Sequence, residues 1–189
     1  MNKIERNTKE TKITVELDIY PEKAHVNNNT GLPFFDHMLD QLATHAGWNL
    51  SIDVDGDLEV DDHHCIEDVA ICLGQVFYKE WQQMPNKRYG QRLLPMDECL
   101  TLCAVDLCGR AHSVFNLQFS QSMLGGINTE MWEHFFYTFS INAQICLHIN
   151  NQYFKNNHHL IESAFKALAY AFKEALELKQ NITSTKGVL

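Results

Sequence analysis

Two short stretches constrain this chain more than anything else in it. His63-His64-Cys65-Ile66-Glu67 and His158-His159-Leu160-Ile161-Glu162 carry the same His-His-x-x-Glu pattern, 95 positions apart (158 − 63). A looser echo sets Phe34-Phe35-Asp36-His37 against Glu133-His134-Phe135-Phe136, with His37 and His134 97 positions apart (134 − 37). Order and spacing both hold, so the chain reads as an internal duplication of a unit of about 95 residues.

The element pattern repeats in the same order. Ile13, Val15, Leu17 and Ile19 alternate as a half-buried strand, with 25–29 as its expected hairpin partner. Apolar residues at 34, 35, 38, 39, 42 and 43 have helical spacing, and Gly47 suits the helix end. Leu50, Ile52 and Val54 alternate again, and Leu58 and Val60 read as a further strand after the Asp55-Gly56 turn signal. Asp61 or Asp62 can cap a helix running to about Trp81. The segment 85–95 reads as a loop. The second half offers strands at 100–107, 113–119 and 145–149, a Gly125-Gly126 loop, and helices at 130–142 and 156–178. The fold expected is α+β with two similar halves. Each half is a mostly antiparallel four-stranded sheet with two helices on one face, and the two-layer units pack together as one domain over 1–189. The halves are placed at 9–92 and 93–180, with 181–189 as a tail.

Helical geometry says what a His-His-x-x-Glu opening can do. Positions i and i+4 share a face, so His63 can bind one ion with Glu67, and His158 with Glu162. Position i+1 is rotated by about 100° and serves a different ion more easily. His64 and His159 are therefore separated from their neighbours. Two equivalent halves make two equivalent sites, and the helical histidines His37 and His134 can add one ligand each. Imidazole nitrogen with carboxylate oxygen suits Mn, Fe, Co, Ni or Zn and does not suit Ca or Mg. Asp36, Asp61, Asp62 and Glu133 are candidate acceptors for the free ring N–H groups. His25 and His112 read as bystanders. His148 reads as either a core or a supporting residue.

Composition narrows the partners. A net charge of −9 argues against a nucleic-acid or anionic-membrane surface, so an anionic small-molecule substrate needs local Lys and Arg. No apolar run is long enough to span a membrane, and the polar start lacks the core of a signal peptide, so a cytoplasmic protein is expected. The six cysteines form no C-x-x-C pair and read as reduced, buried thiols.

Seven motifs in order then resemble one family: Gly31-Leu-Pro-Phe-Phe-Asp-His-Met-Leu-Asp-Gln41, Asp61-Asp-His-His-x-x-Glu-Asp68, Met96-Asp-Glu98, Asp106-Leu-Cys-Gly-Arg110, Glu133-His-Phe-Phe136, His158-His-x-x-Glu162 and Ser184-Thr-Lys-Gly-Val-Leu189. The chain resembles imidazoleglycerol-phosphate dehydratase, in its monofunctional form, from about Lys9 onward. The resemblance implies a hydro-lyase of histidine biosynthesis. It would dehydrate D-erythro-imidazoleglycerol phosphate to imidazole-acetol phosphate through a metal-stabilised imidazolate and a diazafulvene-like species. It implies two Mn2+ ions per active site and no organic cofactor, with sites formed between the subunits of a 24-subunit homo-oligomer.

Carried over by motif, one ion resembles a site of His37, His64, His158 and Glu162, and the other a site of His63, Glu67, His134 and His159. Glu10 resembles the proton-transfer base. Gln41 and His45 resemble substrate contacts, and Arg88, Arg110, Lys166, Ser184, Thr185 and Lys186 resemble phosphate and substrate contacts. The ligands Glu67 and Glu162 can also move a proton, and His45 is counted among the catalytic candidates. Cys65 stands where the family more usually has Thr or Val. Two rivals make different demands. A dinuclear metallohydrolase would turn over generic phosphate esters. A metal carrier would have no use for Arg88, Arg110 and Lys166.

Overall fold

The computed structural model describes residues 1–179. Its elements follow in chain order as β1 (Asn2–Asn7), β2 (Thr11–Asp18), β3 (Val26–Asn29), α1 (Pro33–Ala46), β4 (Asn49–Gly56), α2 (His63–Trp81), β5 (Tyr89–Met96), β6 (Cys99–Asp106), β7 (His112–Asn116), β8 (Met123–Leu124), β9 (Ile127–Asn128), α3 (Glu130–Ala143), β10 (Cys146–Tyr153) and α4 (Asn157–Ala175). Two four-stranded sheets have the orders β1-β2-β4-β3 and β5-β6-β10-β7. In each, the first three strands are antiparallel and the last joins in parallel. The fold is thus α+β, with the duplication visible strand for strand.

Alternation decides which face of each sheet is buried. Ile13, Val15 and Leu17 of β2 point inward, as do Leu50 and Ile52 of β4, while their neighbours face out. The inner faces are covered by helices. Helices of opposite halves also meet, α1 against α4 and α2 against α3. Aromatic side chains from all four fill this seam. Phe35 of α1 lies edge-on to Phe135 of α3 at 5.3 Å between ring centroids, and Phe77 of α2 lies 4.6 Å from Phe172 of α4. One continuous core therefore runs through both halves.

Local chemistry sets the helix ends. Pro33 opens α1, and Gly47 closes it with φ of 79°, its N–H reaching the Ala43 carbonyl. In α3 the matching residue is Gln144, also left-handed at φ 53°. At α2, Asp61 accepts the backbone N–H of His63 at 2.9 Å. At α4, Asn156 accepts that of His158 at 2.8 Å. Helix α2 thus begins on the first histidine of its motif, and α4 begins one residue before it, at Asn157.

The structure departs from the sequence reading at sheet edges and turns. β1 and β5 are edge strands; β1 is polar or charged apart from Ile4, and β5 carries Gly90, an adjacent Leu93-Leu94 pair that breaks alternation, and Pro95, which hides both from a periodicity search. The segment 85–95 is therefore mostly strand. The seam between the sheets falls after α2 and before β5, ahead of 92/93, and β1 places the first sheet's start before residue 9. Residues 58–60 form a turn, with Val60 63% exposed. β3 pairs in parallel with β4 and not with β2, because α1 carries the chain across between them. Gly125 and Gly126, both at positive φ, form the turn of the small β8–β9 hairpin. The helix α4 ends at Ala175.

Gly74 sits where α2 meets α3. A Cβ there would lie 2.7 Å from the Asn142 Cβ and 2.8 Å from the Phe139 carbonyl oxygen. Gly74→Ala is expected to cost about 1–3 kcal/mol, the usual range for overfilling a tight contact, read as a lower urea midpoint in equilibrium unfolding.

Candidate metal centre

Two clusters of potential ligands straddle the seam between the halves. In the first, His158 and Glu162 from α4 meet His37 from α1. In the second, His63 and Glu67 from α2 meet His134 from α3. Within each cluster one ligand atom per residue lies within 4.8 Å of the others. The helical repeat supplies two ligands and the facing helix supplies the third.

The two clusters differ in burial. Glu162 is only 6% exposed. Its Oε2 lies 2.8 Å from His158 Nε2 and 3.5 Å from His37 Nε2, while Oε1 accepts from Lys166 Nζ at 2.6 Å. Burial alone would push its pKa up. The Lys166 ammonium, backed by His158 and His37, outweighs burial and holds the carboxyl below its ordinary value. Glu67 is wetter, its side chain 38% exposed, with Oε1 3.2 Å from His134 Nε2 and Oε2 3.9 Å from His63 Nε2. The His134 Nε2 atom is itself buried and, although Glu67 Oε1 is 3.2 Å away, makes no well-aligned hydrogen bond among the described residues.

His64 and His159 stand apart from both clusters. Each ring is turned from its neighbour, with centroids 6.0 Å apart at 80° for His63–His64 and 6.2 Å apart at 83° for His158–His159. His64 Nδ1 lies 3.0 and 3.2 Å from the two Asp57 oxygens, and this contact raises its pKa. His159 Nδ1 lies 3.1 and 3.2 Å from the two Glu98 oxygens. Glu10 Oε2 is 3.9 Å from His64 Nε2. Sequence reasoning missed both carboxylates. Three of the four acceptors it proposed have other work, and the fourth, Glu133, is exposed. Asp36 takes Thr30, Asp61 takes the His63 backbone, and Asp62 takes Asn128. His148 is exposed on the outer face of the second sheet, beside His112.

His37, Gln41 and His45 rise along one face of α1 in steps of four. Across from them on α4 stand Glu162, Lys166 and Tyr170. His45 Nδ1 lies 3.3 Å from the Tyr170 hydroxyl. Burial, and then the Lys166 charge, lower the His45 pKa and favour its neutral ring. Arg88 and Arg110 lie elsewhere. Arg88 holds Asp106 with two bonds, at 2.6 and 3.0 Å, and its backbone N–H reaches the Ala175 carbonyl. Ala175 ends α4, about 25 Å from His158 at 1.5 Å per residue. Arg110 is exposed, beside the Cys108 carbonyl. Neither arginine is near its own chain's first cluster. Ser184, Thr185 and Lys186 lie outside the described residues.

A family model described as imidazoleglycerol-phosphate dehydratase matches residues 30–172. The chain belongs to that family. Relatives agree along its whole length. It is 43% identical to the imidazoleglycerol-phosphate dehydratase of Chlorobium phaeobacteroides, covering 98% of this chain and 94% of the relative. It is 46% identical to the histidine biosynthesis bifunctional protein HisB of Campylobacter jejuni, covering 98% of this chain. The chain spans about half, 52%, of that relative's length. The solved Staphylococcus aureus imidazoleglycerol-phosphate dehydratase superposes with a TM-score of 0.84 at 34% identity, over 94% of this chain and 98% of the other. The Pyrococcus furiosus structure gives 0.82 at 30% identity, over 98% and 100%.

The dehydratase family's metal dependence meets a donor set here that fits it. Each cluster offers two imidazole nitrogens and one carboxylate, with no thiolate, which suits a borderline first-row cation. The buried His134 Nε2, close to Glu67 Oε1 without an aligned hydrogen bond, faces such a place. Cys65, beside the ligands, is fully buried, and burial pushes its pKa up to about 11. Burial likewise raises Cys72 to about 11. Five of the six cysteines are buried and Cys146 is half-buried. Native protein titrated with a chromogenic disulfide reagent at neutral pH should therefore show no more than one fast thiol, and all six should react after unfolding.

Proposed function

We propose that this chain removes water from D-erythro-imidazoleglycerol phosphate to give imidazole-acetol phosphate, as a cytoplasmic lyase of histidine biosynthesis with Mn2+ at both clusters. The observation that carries the reading is the pair of equivalent three-ligand clusters, each built across the seam from a His-His-x-x-Glu helix and a facing histidine. Bound there, Mn2+ supplies Lewis acidity toward the imidazole nitrogens of the substrate, which eases loss of the neighbouring hydroxyl.

The chain's own residues do the rest. Glu10 is an exposed carboxylate on the turn between β1 and β2, facing the Nε2 side of His64, and takes the C2 proton. The C3 hydroxyl leaves with a proton as water, balanced by the proton lost from C2, and the resulting enol ketonises by giving up its O–H proton and gaining one at C3. Lys166 keeps Glu162 ionised for ligation. Gln41 and the neutral His45 line the furrow between α1 and α4 and orient polar groups of the substrate without adding charge. Arg88 and Arg110 bind the phosphate, helped by Ser184, Thr185 and Lys186. Their distance from the first cluster of the same chain favours active sites shared between copies. His64 and His159, turned away from both clusters, are the ligands that another copy would receive. Both features support a homo-oligomer, and the resemblance sets it at 24 subunits.

Chelator-treated protein reconstituted with Mn2+ should convert imidazoleglycerol phosphate to the keto product, and should leave p-nitrophenyl phosphate untouched. No turnover with Mn2+ bound overturns the reading. His134→Ala should lose one of the two Mn2+ equivalents by metal analysis while the other remains. Glu10→Gln should keep both ions and lower kcat by about 10²–10⁴-fold, the range for a lost general base.

A further inference from the structure

The two rotated histidines share a feature that the duplication does not explain. Each presents Nδ1 to both oxygens of one carboxylate, at 3.0 and 3.2 Å for His64–Asp57 and at 3.1 and 3.2 Å for His159–Glu98. The carboxylates come from different places. Asp57 follows β4, and the residue that follows β10 in the second half is Phe154, which has no acceptor. Glu98 immediately precedes β6, and the residue preceding β2 in the first half is Glu10, which lies on the Nε2 side of His64. Equivalent rings have thus acquired the same contact from inequivalent elements. Inheritance from one ancestral repeat does not give that outcome; a requirement on the ring does.

The chemistry of the contact states the requirement. An ionised carboxylate only accepts hydrogen bonds, so Nδ1 must carry a proton. A neutral ring then keeps its lone pair on Nε2, which is directed away from the holding carboxylate. A metal-ligating imidazole commonly donates its other N–H to such an acceptor, which fixes tautomer and ring orientation and raises basicity. We propose that Asp57 and Glu98 are positioning residues that hold His64 and His159 in the Nδ1–H form, with Nε2 turned outward as the fourth ligand to a cluster on another copy. The inference rests on the metal reading above. With Glu98 committed to holding Nδ1, the carboxylate on the Nε2 side of His159 is Asp97, whose Oδ2 lies 3.9 Å away, as Glu10 Oε2 does from His64 Nε2.

The test is a Mn2+ titration of chelator-treated protein, followed by the electron paramagnetic resonance of the free ion. Asp57→Leu and Glu98→Met should each weaken one class of site about 10–100-fold, the usual loss for an outer acceptor. Asp57→Asn and Glu98→Gln keep an acceptor oxygen and should restore most of that affinity. On a His64→Ala background, Asp57→Leu should cost nothing further, because the ring it acts through is gone. Asp57→Ala takes its place if the leucine variant does not fold. Parental affinity in both apolar variants, or full additivity with His64→Ala, would overturn the inference while leaving the metal reading intact. A parent protein that binds no Mn2+ would overturn the metal reading and the inference with it.

Discussion

The rotation of about 100° between successive residues of an α-helix governs this molecule's chemistry. It joins His63 to Glu67 and His158 to Glu162 on one face, and turns His64 and His159 off that face. The rotation is useful only because each helix start is pinned. Asp61 and Asn156 hold the backbone N–H groups of His63 and His158. Each pair then needs a third ligand at the right height on a facing helix. The close approach of α2 to α3 at Gly74, and of α1 to α4 through Phe35, Trp132 and Phe165, sets that height.

Much of this was legible in the sequence, for a physical reason. Helices that bury a wide apolar stripe leave a strong period, so α1 to α4 were readable, as were the inner strands β2, β4, β6 and β10. Edge strands face water along one side and have no such duty. β1 therefore looked like a polar start and β5 like a proline-bounded loop, and the parallel placement of β3 was invisible because pairing partners leave no local mark. The two ligands that each helix gives to one cluster followed from spacing, since a helix converts sequence separation directly into direction, whereas their pairing with His37 and His134 came from the motif resemblance. The holding carboxylates did not. Asp57 and Glu98 reach their rings through tertiary contacts seven and 61 residues away in sequence, and no periodicity encodes that. Arg88 and Arg110 entered through motif resemblance alone, and it is the fold that sets Arg88 beside Ala175, at the opposite end of α4 from the first cluster of its own chain.

The halves have diverged beneath their shared outline. In the first, Thr11 donates to the buried Asp68 carboxylate, which Arg6 also holds at 2.8 Å. In the second, the corresponding places carry Cys99 and Ser163, joined by Thr101 and Asn151 in an uncharged network. A buried charge needs its partner kept in place, whereas hydroxyls and a thiol can satisfy one another. The same contrast appears at the clusters, where Glu162 is buried under Lys166 and Glu67 is wet.

Both clusters, and the aromatic core between them, are made across the seam and not within a half. A single unit would expose the helix faces that now carry Phe35, Phe77, Phe135 and Phe172, and would own only fragments of a ligand set. Before the duplication, such a unit could have been stable and useful only when paired with its own twin about a two-fold axis, with two identical sites on the shared face. Joining the copies in one chain kept that axis as an approximate symmetry. It also lets each half change without the other, as the different carboxylates beside His64 and His159 show.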